Sequence, residues 1–118
     1  MNIDLAPTDL DGLHEPRDQQ LLISLERDMR RDGWSGRPLL VFEDDDGYVA
    51  WTGCHRIAAA IYAELSTVPC YVLDAAQLVP LGVSAGEGHA SDHDRLEIIR
   101  QLGDDDAIQI MWAETQLC

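Results

Sequence analysis

The sequence predicts a small α/β domain of the α+β kind: a short mixed sheet, flanking helices and a C-terminal helical segment. Three observations carry this. Leu21, Leu22, Leu25 and Met29 recur at helical spacing. Two short apolar runs, PLLVF at 38–42 and YVAWT at 48–52, flank the turn-rich EDDDG, as the arms of a β-hairpin do. A glycine, Gly53, then joins the second run to a segment of helical period, and a third strand-like run, VPCYVL, follows.

Taken in order, residues 1–17 contain Pro7, Gly12 and Pro16 among scattered acids and are expected to form an extended arm. The first helix is expected from Asp18, a suitable N-cap, to a stop near Gly33. After the hairpin, Cys54–Leu65 places Ile57, Ala58, Ile61 and Leu65 on one helical face. The strand Val68–Leu73 has Pro69 near its start, which suits a sheet edge where a missing N–H is tolerated. AAQLV predicts a short helical turn, and LGVSAGEGHAS a loop. Leu96, Ile99 and Leu102 then mark a helix stopped by Gly103, and Ala107–Leu117 a last one, with acids at its positive end. The expected organisation is an arm at 1–17, a core at 18–81, and a loop with C-terminal helices at 82–118 packed on that core.

A chain of 118 residues holds one modest core. Its 22 acids face only eight basic residues, all arginine, for a net charge of −14. That balance disfavours a nucleic-acid footprint, which needs basic side chains to neutralise phosphates, and disfavours an anionic membrane surface. It leaves room for a local cationic pocket or for a basic protein partner. No stretch is apolar for long enough to span a membrane, and the acidic N-terminus lacks the basic flank of a signal peptide, so a cytoplasmic location is expected. Cys54, Cys70 and Cys118 match neither a zinc-ribbon spacing nor a disulfide framework and read as reduced thiols.

The densest chemistry lies in WTGCHRIAAA, residues 51–60. Gly53 falls where a strand turns sharply into a helix, and a glycine permits the positive φ that such a turn needs. The first N–H groups of that helix lack intrahelical partners, and its dipole adds partial positive charge. Arg56 offers a guanidinium fork and His55 a tunable donor, so phosphate is the natural guest. The same setting predicts a lowered pKa and a nucleophilic character for Cys54. The alternative reading of the same residues is a plain turn, with Arg56 paired to one of the chain's many carboxylates.

The segment from about Gln19 to Leu73 resembles the ParB/sulfiredoxin superfamily, in its element order and in the tetrad Gly53-Cys54-His55-Arg56 ahead of an alanine-rich helix. The resemblance implies that Gly53, Cys54, His55 and Arg56 bind nucleotide phosphates, with Ser24 near the nucleotide and Arg17 as a second phosphate contact. It implies ATP or another nucleoside triphosphate as ligand, with Mg²⁺ as a companion ion, and nucleotide hydrolysis or phosphoryl transfer assisted by His55 and Arg56. On the sulfiredoxin side it implies a cysteine sulfinic acid reductase with Cys54 as nucleophile. A third reading, from the charge alone, is a non-catalytic acidic module that binds or inhibits a basic protein. Direct binding of nucleic acid is not expected.

Other clusters read as structural. HASDHD, with His89 and His93 spaced i, i+4, is expected to cap a helix rather than hold a metal, and Asp44–Asp46 to form a solvated turn rather than a Mg²⁺ site. His14 is expected to face solvent and Cys118 to fray. Of the three tryptophans, Trp51 is the one expected to touch a ligand.

Overall fold

The computed structural model describes residues 1–13, 15–86 and 91–117, with the side chains of residues 116–117 left aside. His14, His89 and Cys118 therefore lie outside the described residues. Two short strands, β1 (Asn2–Leu5) and β2 (Leu10–Gly12), are joined by a 3₁₀ turn at Pro7–Asp9. Helix α1 (Gln19–Asp32) leads to the hairpin β3 (Leu39–Asp44) and β4 (Gly47–Ala50), then α2 (Cys54–Tyr62) and β5 (Val68–Asp74). A 3₁₀ helix at Ala75–Leu81 precedes α3 (Asp92–Leu102) and α4 (Asp105–Leu117). No helix among the described residues is long and apolar enough to cross a membrane.

The strands form one sheet in the order β1-β5-β3-β4-β2. β3 and β5 run parallel, β3 and β4 antiparallel, β5 and β1 antiparallel, and β4 and β2 parallel. The residues expected to form an extended arm thus supply both edges of the sheet. This also corrects the placement of Pro69. It lies on β5 opposite Asp4 of β1, inside the sheet rather than at its edge. A four-residue strand such as NIDL is too short to announce itself by periodicity.

Central strand β3 explains the layering. Leu39, Leu40, Val41 and Phe42 are all fully buried, an unbroken apolar run of the kind found where both faces of a strand are covered. Leu39 and Val41 point towards α1 and α2, where they pack with Leu22, Met29, Ile57, Ala59 and Ala60. Leu40 and Phe42 point the other way, towards Trp51, Leu78, Leu96, Ile99, Ala107 and Met111. The C-terminal helices therefore share the sheet's core. Helix α2 buries a face different from the one its spacing predicts: Ile57, Ala59 and Ala60 are buried, whereas Ile61 is 41% exposed. The helix is wedged between the sheet and α1, and its alanine side lets α1 approach closely.

Caps follow the sequence closely. Asp18 Oδ1 accepts from the Leu21 N–H at 3.0 Å, and Gly33 ends α1 with a left-handed φ of 76°. Ser91 caps α3 by accepting from the Asp94 N–H at 3.2 Å. Asp104 does the same for α4, accepting from the Ala107 N–H at 3.0 Å. The Tyr71 hydroxyl donates to the same carboxylate, 2.8 Å from Oδ2, and so ties β5 to α4.

Candidate functional site

At the end of β4 the chain passes through Trp51 and Thr52 and turns at Gly53 into α2. Leu40 N–H donates to the buried Thr52 Oγ1 at 2.9 Å, and Trp51 N–H donates to Leu40 O at 2.8 Å, which fixes the approach to the turn. Gly53 adopts φ 77° and ψ 37°, the left-handed region. A Cβ there would run into Leu39 Cδ2 and lie 3.2 Å from Arg56 Nε. The glycine is thus required twice, by the backbone and by the space. What crowds it is Leu39 and Arg56. Being the N-cap, Gly53 also brings no side chain to cap the first turn of α2.

That turn opens into a cavity of about 590 Å³. Leu13, Leu21, Leu25 and Trp51 form its apolar wall, and Arg37, Arg56, Arg95, Asp92 and Glu114 its charged one. Three arginines against two carboxylates make this a locally cationic place in a chain of net charge −14. Leu21 is 44% exposed because it faces the cavity rather than the core.

Arg56 is the most committed of the three. Its Nη1 donates to Arg37 O at 2.9 Å, its Nη2 meets Glu114 Oε1 at 2.7 Å, and its guanidinium lies 5.0 Å from the centre of the Trp34 ring. The same Glu114 oxygen accepts from Arg37 Nη2 at 2.5 Å. The side chains of Arg56 and Glu114 are 13% and 14% exposed. Burial pulls the Arg56 pKa down against the opposing pull of Glu114, with Arg37 adding to the lowering. Arg56 is thus paired to a carboxylate, as in the alternative reading of the Gly53–Arg56 turn, and a roomy cavity stands beside it. Arg95, which also lines the cavity, pairs with Asp92 one turn away on α3.

His55 has a structural engagement that the sequence does not suggest. Its Nε2 accepts from the Asp18 N–H at 3.0 Å, which places the ring proton on Nδ1, 3.5 Å from Cys54 Sγ. The imidazole thereby ties the start of α1 to the start of α2. Cys54 departs from expectation in the opposite direction to the one predicted. Partial burial pushes its thiol pKa up, and the Asp92 and Glu114 carboxylates add to the rise against the lowering by backbone N–H groups.

The cavity brings together Gly53, Cys54, His55 and Arg56. Ser24 and Arg17 are not among its lining residues. On α1 the cavity is faced by Leu21 and Leu25, one turn apart; Ser24 is half-buried and Arg17 is exposed ahead of the helix. Trp51 does line the cavity, but it is only 2% exposed, packed on Phe42 and donating from Nε1 to Ala85 O at 3.0 Å. Asp44 caps the hairpin turn, its Oδ1 accepting from the Asp46 N–H at 2.9 Å. No group of three metal-ligating side chains is assembled among the described residues. Sequence reading missed Arg37 and Glu114. Arg37 sits in an unremarked loop, and Glu114 is 77 residues from it, with no local pattern to connect them.

No family model and no curated protein sequence matches the chain. Among solved structures it is similar to sulfiredoxin from Arabidopsis thaliana, at 26% identity and a TM-score of 0.54, over 63% of this chain and 85% of that one. It is also similar to the C-terminally truncated chromosome-partitioning protein ParB from Caulobacter crescentus complexed with CTP-γ-S. That match has 19% identity and a TM-score of 0.54, over 94% of this chain and 71% of that one. The same protein complexed to the centromeric parS site matches at 22% identity and a TM-score of 0.53, over 87% of this chain and half of that one.

Proposed function

Starting from a domain of ParB/sulfiredoxin-like fold, we propose that the protein binds a nucleoside triphosphate, with its phosphates at the Gly53–Arg56 turn and its base along the apolar wall. The observation that carries this is the composition of one cavity. The uncapped N-terminus of α2 opens beside Arg37, Arg56 and Arg95, with Leu13, Leu21 and Leu25 opposite. Backbone N–H groups at a helix start and clustered guanidiniums are what phosphate oxygens bind. Apolar side chains suit the faces of a base. A volume of about 590 Å³ falls within the range of small-molecule sites. The complex of Caulobacter ParB with CTP-γ-S, on the same fold, supports a nucleotide as ligand. Sequence resemblance points to ATP and that complex to CTP, so both belong in the test.

Hydrolysis or phosphoryl transfer would then rest on positioning and on charge neutralisation by Arg56, with Mg²⁺ held by the nucleotide's own phosphates. A reductase reading is favoured by the place of Cys54 in the cavity and by the likeness to Arabidopsis sulfiredoxin. Its raised thiol pKa weighs against a resting thiolate nucleophile.

The test is thermal unfolding with ATP, CTP and GTP, each with Mg²⁺. Ligand at tenfold its Kd adds about 1.4 kcal/mol, a rise of about 6 °C for a domain of this size. Cys54→Ser should keep that rise. Arg56→Ala should start from a lower Tm, having left Glu114 short of a partner, and should show no rise. A wild-type Tm unmoved by all three nucleotides would remove the proposal.

A further inference from the structure

The contacts of Glu114 describe an anion site already in use. A single oxygen, Oε1, lies 2.5 Å from Arg37 Nη2 and 2.7 Å from Arg56 Nη2. The carboxylate is almost buried, it comes from α4, and the two arginines come from the β3 approach and the start of α2. Its charge of −1 faces two guanidiniums of +1 each, so the cluster is short of negative charge. It is also short of acceptors. Arg37 Nε, on the same edge of the guanidinium as the bonded Nη2, is buried with no hydrogen-bond partner, and so is Trp34 Nε1 beside Arg56. Buried donors without acceptors are uncommon and point to a group with more oxygens than a carboxylate can present. A phosphoryl group supplies three oxygens and a charge of about −1.5 to −2, which matches two arginines where one carboxylate does not.

We infer that Arg37 and Arg56 form a two-arginine oxyanion subsite that Glu114 occupies from within the chain, and that a phosphoryl group binds there by taking the place of the Glu114 carboxylate. The reading as part of a nucleotide site rests on the function proposed above; the subsite itself does not require a nucleoside. Two consequences follow from the geometry. Binding is a competition, so the affinity for phosphate is set partly by Glu114. Binding also detaches α4 from the other two elements at this point, because the only side chain of α4 that reaches both arginines in the described contacts is the one displaced. The occupied and exchanged arrangements are thus distinct states of α4, and the ligand favours one of them by its differential contacts.

Inorganic tripolyphosphate is the probe, titrated calorimetrically into the wild type, Glu114→Gln and Arg37→Gln. Glu114→Gln keeps the side-chain shape and removes the competing charge, so it should bind tripolyphosphate about tenfold tighter or more than the wild type. Arg37→Gln should bind about tenfold more weakly than the wild type. Equal or weaker binding by Glu114→Gln overturns the inference, as does failure of both proteins to bind. If Glu114→Gln does not fold, Glu114→Asp, which is one methylene too short to hold both arginines, carries the same comparison with the same expected direction. Parallel titrations with ATP and CTP separate the two proposals. Tripolyphosphate tighter in Glu114→Gln with no nucleotide bound by either protein supports the subsite and sinks the nucleotide function. Nucleotide bound equally by both supports the function and sinks the subsite.

Discussion

Gly53 and Arg56 share one small volume, and each limits what the other can be. The glycine's left-handed turn aims the start of α2 at the cavity, and its missing Cβ leaves the space in which Leu39 and the Arg56 guanidinium lie. Gly53→Ala would force a non-glycine residue to φ 77° and press a methyl group into a fully buried leucine. The backbone strain and the overpacking together should cost about 2–4 kcal/mol, read from urea denaturation midpoints. Gly103→Ala at the end of α3, with a similar left-handed φ of 70° and nothing within 4 Å of the added Cβ, carries only the backbone part and should cost less. Equal losses at the two positions would show that the crowding at Gly53 contributes nothing. The requirement for glycine at 53 was visible in the sequence as a strand-to-helix turn. Its steric half was not, because Leu39 is 14 positions away and its direction depends on the register of β3 within the sheet.

Among the elements, α1, the hairpin, α2 and the last two helices could be read from period and caps, since each carries its own signal: Asp18 and Gly33 for α1, Ser91 and Gly103 for α3. The edge strands could not. β1 and β2 have four and three residues, and they exist because β5 and β4 present unpaired edges for them to join. Helix α4 is held by long-range contacts as well. Its cap, Asp104, receives the Tyr71 hydroxyl and the Ala107 N–H. Partial burial would raise the Asp104 pKa, but those two donors and a further N–H, from Asp106, hold it below the ordinary carboxylate value. A folded pKa below the unfolded one contributes stability that is present above the unfolded value and lost as pH falls through the folded one. Tyr71 is the mirror case. Burial, then Asp104, push its pKa up to about 12. That contribution is present below the ordinary tyrosine pKa of 10.0 and is lost as pH rises towards 12. Tyr71→Phe should therefore cost about 1.5 kcal/mol at pH 7, the net worth of a hydrogen bond to a charged group. The deficit should shrink below about pH 4 as Asp104 protonates, and again above about pH 10, where the unfolded wild type ionises before the folded tyrosine does near 12. A deficit independent of pH in urea denaturation would mean that the lost hydroxyl matters for packing alone.

Across the described residues, charge is distributed so that three arginines meet at one cavity. Arg27, Arg30 and Arg31 of α1 are each beside a carboxylate at the surface, and Arg100 pairs with Glu97 on α3. Arg37, Arg56 and Arg95 gather instead on one cavity from three separate parts of the chain. The sequence showed the acidity and one member of that trio. The convergence is a property of the fold, which brings the β3 approach, the start of α2 and the first turn of α3 around a common point. The central claim is that phosphates bind there. It is tested most directly by following backbone amide resonances while ATP or CTP with Mg²⁺ is added to the wild-type protein. The largest shifts should fall on Gly53–Ile57 and Arg37, with Glu114 responding as its carboxylate is displaced. Saturable shifts confined to other surfaces, such as the Asp44–Asp46 turn, or none at all, would contradict the account.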